Sequence, residues 1–542
     1  MRPDPAAVLE RSAPRLGGAR VAAIVVGVVA AALLAVFVAW PIVLVLARGV
    51  PHYPELAERG ALSILRRSLA VAAMSAASAV ALGSVLAYAV TRAGIPGTRI
   101  VSRAIGLPML APPFFAALSL LLLFGDGGLV DRVLGVRVGI YGVHGIVIAQ
   151  VLTFLPQAFR VMADAFADTD GSLEEAAENL GASGFDVLRR VTFVLVRPGL
   201  MSALLSVFIL SLSDFGAPFL VGGGARVLAT EIYARAIGAQ DPGGAAALGV
   251  ALLVPCLLAY ALKTYWIGAR LPVPRRHASI GTSRRLAAAA RRLLLAIVVA
   301  SAAAFIGVYG GVALGSFVRL SEPEWTVSVR HYGAIATAAG VAPILDSFAL
   351  AALAASVGTV LALSIGRLIA RRAPGAAVIE TLSMLPSALP GTVLGLGYLL
   401  AFSGPPLRLT GTIWILVASV VFWRLPLGVL TTVRVLKRVD PSLEEAARSL
   451  GADPFSTFVH VTLPYLAPAA LETFVDCFID GIVTVSTVIM LVSPGFVPAS
   501  VAVLLGAQRG DLGSACAVGT VLVALVLVAI VVRRNAVHTA AV

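Results

Sequence analysis

The chain is a succession of long apolar runs separated by short polar segments. Each run is about the 20 residues that a helix needs to cross a bilayer core. Reading them along the chain places spans at 21–46, 68–91, 104–124, 140–162, 195–220 and 245–268. After a basic stretch, further spans fall at 293–318, 345–369, 378–402, 411–433, 466–492 and 513–532. The pattern predicts an all-α polytopic membrane protein of about twelve transmembrane helices. The runs at 104–124 and 378–402 are the least regular, with Pro108, Pro112 and Pro113 in one and Pro386 and Pro390 in the other. Proline removes a backbone donor, and broken spans are tolerated where a cavity or neighbouring protein takes up the freed groups. The first run comes after Arg2, Arg11, Arg15 and Arg20. It is about 26 residues long, beyond the roughly 7–15 of a signal-peptide core, so a retained span is expected.

An internal duplication organises these runs. Residues 170–182 read DGSLEEAAENLGA and residues 440–452 read DPSLEEAARSLGA, ten of thirteen positions being identical at an offset of 270. Phe185 and Phe455 continue the match, as do Val191-Thr192 with Val461-Thr462 and, upstream, Leu155-Pro156 with Leu425-Pro426. A fixed-period match of this kind marks repeated structure. It divides the chain into a 1–20 tail, a six-span half at 21–268, a basic linker at 269–292, a second six-span half at 293–532 and a 533–542 tail. Both repeated segments lie between the fourth and fifth spans of their halves. Ser172 and Ser442, each with a glutamate three residues on (Glu175 and Glu445), suit a capping box. Gly181 and Gly451 suit a helix end. A short surface helix near 170–190 and another near 440–460 are predicted.

Composition strengthens the membrane reading. The chain is 59% hydrophobic and 13% charged, against about 45–50% and 25% in soluble domains, which excludes a disordered chain or an ordinary soluble enzyme. Lys and Arg outnumber Asp and Glu by 41 to 28. With the N-terminus in the cytosol, about 29 of the 41 basic residues face inward, as the positive-inside rule requires. Their densest cluster is Lys263, Arg270, Arg275, Arg276, Arg284, Arg285, Arg291 and Arg292. An even span count then puts both termini in the cytosol. The membrane accounts for the basic balance without nucleic acid. Cys256, Cys477 and Cys516 have no metal-ligand spacing and the six histidines lie apart, so no metal site is assigned.

The repeated segment resembles the EAA motif of permease subunits of bacterial binding-protein-dependent ABC importers. That motif runs E-A-A, three residues, G, nine residues, then I-x-L-P. The second copy reads Glu445-Ala446-Ala447, Gly451, then Val461-Thr462-Leu463-Pro464. The first reads Glu175-Ala176-Ala177, Gly181, then Val191-Thr192-Phe193-Val194, with Val for Ile and no final proline. The resemblance covers both halves and implies a fused permease of the type I importer fold in the bacterial inner membrane. It implies that each EAA helix docks on one of two copies of a cytosolic ATPase, with Glu174, Glu175, Glu444 and Glu445 as docking acids and Gly181 and Gly451 allowing the turn. ATP and Mg would be bound by that partner, with no cofactor on this chain. A separate substrate-binding protein would dock on the opposite face. Further matches are Ser213-Asp214-Phe215-Gly216-Ala217-Pro218, Thr484-Val485-Ser486-Thr487-Val488-Ile489 and Gly510-Asp511-Leu512-Gly513. They look most like ferric iron or 2-aminoethylphosphonate permeases, in a branch that also serves thiamine and polyamines.

The chain has no GxxxxGK[ST]: its two lysines, Lys263 and Lys437, are each preceded by leucine. It cannot hydrolyse ATP through a P-loop. Charges inside spans are costly and point to function or internal pairing. Glu472, Asp476 and Asp480 recur at four-residue spacing on one face of the eleventh span, Asp214 lies in the fifth, and Arg424 in the tenth is placed to neutralise an acid. Asp214, Asp476 and Asp480 are therefore candidates to line a path for a cationic substrate, the alternative being ion pairs and helix-end bonds within the bundle. Two other classes compete with the importer. An ion-coupled secondary transporter also has two halves but does not predict paired EAA segments. A membrane enzyme predicts clustered catalytic residues at one face, which the sequence lacks.

Overall fold

The computed structural model describes residues 15–58, 60–93, 105–106, 111–169, 171–267, 288–320, 325–440 and 442–540. The first half runs α1 (Arg15–Leu34), α2 (Trp40–Glu58), α3 (Ala61–Thr91), α4 (Phe115–Phe124), α5 (Leu129–Leu134), α6 (Val143–Ala167), α7 (Gly171–Asn179), α8 (Gly184–Val187), α9 (Phe193–Ser213), α10 (Gly216–Val221), α11 (Leu228–Tyr233) and α12 (Pro242–Ala261). The second runs α13 (Ala288–Gly315), a hairpin of β1 (Val318–Leu320) and β2 (Trp325–Val327), α14 (Arg330–Ile335), α15 (Ala338–Ala370), α16 (Ala376–Met384), α17 (Gly391–Phe402), α18 (Ile413–Leu436), α19 (Ser442–Ser449), α20 (Pro454–Thr457), α21 (Leu463–Val483), α22 (Ala499–Gln508) and α23 (Leu512–Ala540). The strands pair antiparallel, Val318 opposite Val327.

Among the described residues nine helices are long and apolar enough to cross a membrane, or ten if one bent pair counts as a span. Each of the twelve expected runs meets a helix, and three depart from a simple span for stated reasons. At 104–124 the described helix is only α4, ten residues long, while 101–104 and 107–110 lie outside the described residues. At 378–402 the chain bends by 115° between Ala388 and Gly391, where Pro390 precedes the new helix. At 466–492 the helix stops at Val483 and carries Glu472, Asp476 and Asp480, which lower its hydropathy. The fifth span likewise ends at Ser213 rather than 220, because Asp214 leaves the helical region at ψ 122°. α1 is described from Arg15, α13 from Ala288 and α23 as far as Ala540. The linker residues 269–287 lie outside the described residues.

The duplication is legible in the element limits themselves. α8, the π-helical turn Leu188–Thr192 and α9 recur 270 residues later as α20, the π-helical turn Phe458–Thr462 and α21. A buried core spans both halves. α1 and α2 pack on α15, α16 and α17 of the other half, and α13 packs on α3 and α4. At the first crossing a π-helical turn, Ala35–Ala39, interrupts the helix. Such a turn leaves a carbonyl without its usual partner. The Tyr398 hydroxyl donates to the Phe37 carbonyl at 2.8 Å, and the Phe37 ring stacks on Phe422 at 5.0 Å. Small residues set the close helix contacts expected in lipid: a Cβ on Gly366 would meet the Thr432 side chain at 2.5 Å.

Candidate functional site

The two repeated segments form matching helix–turn units, α7–α8 and α19–α20. Their C-terminal ends are built alike. Gly181 has φ +84° and Gly451 φ +89°. The Ala182 N–H donates to the Ala177 carbonyl at 3.0 Å and the Ala452 N–H to the Ala447 carbonyl at 3.1 Å. These are Schellman ends, which use the left-handed residue to satisfy the last carbonyls. A Cβ at either glycine would meet nothing within 4 Å, so backbone conformation alone calls for glycine there. The N-terminal ends differ from expectation. Ser172 lies inside α7 and Ser442 begins α19. The cap in the second half is Asp440, whose carboxylate accepts from the Ser442 N–H at 2.9 Å. That bond and the Ser442 hydroxyl hold the Asp440 carboxyl below its usual value. Asp170 lies outside the described residues.

The four predicted docking acids divide into two kinds. Glu175 and Glu445 are exposed, as are Ala176 and Ala446, with Ala177 and Ala447 half-buried. Glu174 and Glu444 instead turn into the protein. Glu174 Oε1 accepts from the Thr192 hydroxyl at 2.8 Å, and Glu444 Oε1 accepts from the Thr462 hydroxyl at 2.8 Å. Arg371 Nη2 also donates to Glu444 at 2.8 Å, while Arg92 Nη1 stands 3.9 Å from Glu174. Glu174 and Glu444 are thus bonded within the chain, while Glu175 and Glu445 are the more exposed of the four acids. Burial pushes the Glu444 carboxyl up, but its bonds to Thr462 and Arg371 and the charges of Arg371 and Arg367 bring it below its usual value.

Sequence reasoning gave no role to four further residues that face outward. Leu180 and Leu450 are 88% and 89% exposed, and Phe185 and Phe455 are 70% and 76% exposed. Each pair is separated by 270 residues. The signal was present in the identity of these residues between the copies, where only the acids, the alanines and the glycines were weighed.

The intramembrane acids have disjoint partners. Asp214 accepts from Gln150 Nε2 at 3.0 Å and from the Gly216 N–H at 3.0 Å. Gln150 is held in turn by the hydroxyls of Ser75 and Ser211 at 2.8 and 2.5 Å. Asp214 thus caps α10 after the break in the fifth span. Asp480 accepts from Arg424 at 2.6 Å, and Arg424 also lies 4.3 Å over the Trp423 ring. Asp476 accepts from Arg533 at 2.8 Å. Arg424, Asp476 and Asp480 line a small cavity with Thr473 and Cys477. Hydrogen bonds and ion pairs within the bundle, the second of the two expectations, describe these contacts.

Two stretches of the chain, 79–267 and 358–538, match the family described as binding-protein-dependent transport system inner membrane component. A ferric transport system permease protein, FbpB, of Actinobacillus pleuropneumoniae is 32% identical over 434 residues, covering 78% of this chain and 63% of that protein. A putative ferric transport system permease protein, FbpB 1, of Haemophilus influenzae is 33% identical over 400 residues, covering 71% and 63%. The chain thus spans less than two thirds of the length of either relative. A putative 2-aminoethylphosphonate transport system permease protein, PhnV, of Salmonella paratyphi A is 33% identical over 150 residues, covering 26% of this chain and 54% of that protein. With two matched stretches that fill more than half of its length, one within each structural half, the chain belongs to the family of binding-protein-dependent transport system inner membrane components.

Proposed function

We propose that this chain carries both permease halves of an ABC importer, forming in one polypeptide the path for a solute delivered by a separate binding protein. ATP hydrolysis belongs to two copies of a partner ATPase that dock on α7–α8 and α19–α20, with both chain termini on that cytosolic side. The observation that carries this reading is the repetition of an exposed leucine and phenylalanine beside the same Schellman turn in both halves. Exposed apolar side chains on a polar surface segment favour a protein partner, and two equivalent copies favour two equivalent partners. Ferric iron is the proposed cargo, supported by the names of the two relatives that cover most of this chain. A 2-aminoethylphosphonate cargo is the second reading, favoured by the shorter match to PhnV.

The test is purification of the tagged chain from its native membranes, then uptake assays. Expected are two P-loop ATPase subunits per chain, lost from Leu180→Ser/Leu450→Ser and from Glu175→Lys/Glu445→Lys without loss of the folded permease. Uptake of radiolabelled ferric iron, unaffected by excess 2-aminoethylphosphonate, supports the first cargo. Absence of an ATPase, with uptake that tracks an ion gradient, overturns the reading in favour of a secondary transporter.

A further inference from the structure

Glu174 and Glu444 join three elements in each half. Arg92 and Arg371 occupy the residue directly after the second span, at the ends of α3 and α15. Thr192 and Thr462 are the last residues of the two π-helical turns that open the fifth spans. Both threonines are at most 1% exposed. A π turn inserts a residue and rotates the helix after it relative to the helix before it. In both halves the inserted turn ends with its threonine hydroxyl bonded to the glutamate on the surface helix at 2.8 Å. The same contact at the same distance, on two halves whose spans have diverged in sequence, is a repeated device.

The device is not equally strong in the two halves. Arg371 makes a direct charge-assisted bond to Glu444 at 2.8 Å. Arg367 adds its charge and lies 4.5 Å over the ring of Phe458, the first residue of the π turn. Arg92 instead spends its Nη2 donors on the end of α6, at the Phe166 and Thr169 carbonyls (2.8 and 2.9 Å) and the Thr169 hydroxyl (2.6 Å). At 3.9 Å its contact with Glu174 is beyond hydrogen-bond range.

We propose that Glu174 and Glu444 are positioning residues that lock each surface helix to the second and fifth spans of its half, so that a push on the helix moves both spans together, with the Glu444 lock the stiffer. The proposal rests on the reading of these helices as ATPase docking sites. Bending α19 away from the spans would break the Glu444 bonds to Thr462 and Arg371, whereas bending α7 would break the Glu174 bond to Thr192 and a longer ion pair with Arg92.

The test uses the whole complex with its ATPase in lipid. Spin labels on Leu134→Cys and Leu407→Cys report the spacing of the two loops on the face opposite α7 and α19; both leucines are exposed and the three native cysteines are buried. Vanadate trapping of the ATPase is expected to change this spacing in the otherwise wild-type chain. Glu444→Ala and Thr462→Val should retain the ATPase and its vanadate trapping but lose the spacing change. Thr462→Ser, which keeps the hydroxyl, should restore it, and Glu174→Ala should lose only part. An undiminished spacing change in Glu444→Ala overturns the proposal. So does loss of the ATPase from a folded Glu444→Ala chain, which would make the residue a docking acid. If Glu444→Ala does not assemble, the Thr462→Val and Thr462→Ser pair decides. A parent complex that traps vanadate with no spacing change overturns the lock alone, whereas a parent chain that binds no ATPase overturns the importer reading itself.

Discussion

The first and second halves share element limits but distribute their charges differently. In the first half the acid sits at the break after the fifth span, where Asp214 caps α10. The position 270 residues on is Thr484, whose hydroxyl lies 3.3 Å from that of Thr487. In the second half the acids sit inside the span, Asp480 on Arg424 and Asp476 on Arg533. The positions equivalent to Arg424 and Asp480 in the first half are Phe154 and Leu210. A helix break and a helix interior both offer ways to satisfy a carboxylate away from water, the first through backbone N–H groups and the second through a paired cation. The comparison teaches that the duplicated backbone fixes where helices start and stop, while the polar interior was solved separately in each half.

Breaking the pair inside the second half should have the largest effect. Asp480→Asn leaves Arg424 without its anion and is expected to cost about 3–5 kcal/mol of stability, read as a fall in the thermal unfolding midpoint in detergent. Arg424→Leu/Asp480→Leu should recover most of it, because removing both charges removes the uncompensated one. Leu210 occupies the equivalent place in the first half and is 39% exposed. Leu210→Ala should therefore cost only about 0.5 kcal/mol, as for an ordinary surface substitution. If Asp480→Asn costs no more than Leu210→Ala, the pair contributes nothing to the second half.

The surface helices come next. Glu444→Ala removes bonds to both Thr462 and Arg371 and should cost about 2–3 kcal/mol, against about 1–1.5 for Glu174→Ala, which removes one hydrogen bond and a loose ion pair. Equal losses in thermal melts would erase the proposed asymmetry. Gly181→Ala and Gly451→Ala should each cost about 1 kcal/mol. Here the two halves should agree, since both φ angles are positive and neither site is crowded.

The smallest effect is in pH dependence. The Glu444 carboxyl lies below its usual value of 4.5 in the folded protein. A depressed folded value means that its stabilisation is fully present above the unfolded value and is lost as pH falls through the folded one. Glu444→Gln should therefore flatten the acid limb of a stability-against-pH curve below about pH 4.5. An unchanged limb would show that the carboxylate's charge does not hold α19.

Much of the site was legible before any coordinates. The ten identities between 170–182 and 440–452 located both surface helices, and Gly181 and Gly451 announced their ends, because only a left-handed residue closes a helix in this way. Arg424 was legible as the partner of an intramembrane acid, since an isolated charge there would be too costly. The direction of Glu174 and Glu444 was not legible. On an isolated helix, adjacent glutamates differ only by about 100° of rotation, and nothing local says which one meets the bundle. The capping of α11 and α22 by Ser68 and Ser347 on the second spans, at 2.8 Å each, was equally hidden. Those serines are 279 residues apart, as are Arg92 and Arg371, so the 270-residue register that exposed the surface helices does not align them.

The sequence by itself determined that the chain lies in a membrane, that it is two copies of one design and that each copy carries one polar surface helix. Those conclusions rest on hydropathy, periodicity and identity, which are properties of the chain taken a segment at a time. Only the tertiary structure decided which glutamate is buried, which arginine each acid meets and which serine caps which helix. Such contacts join residues 18 to 160 positions apart, and which of them form depends on how every intervening helix packs.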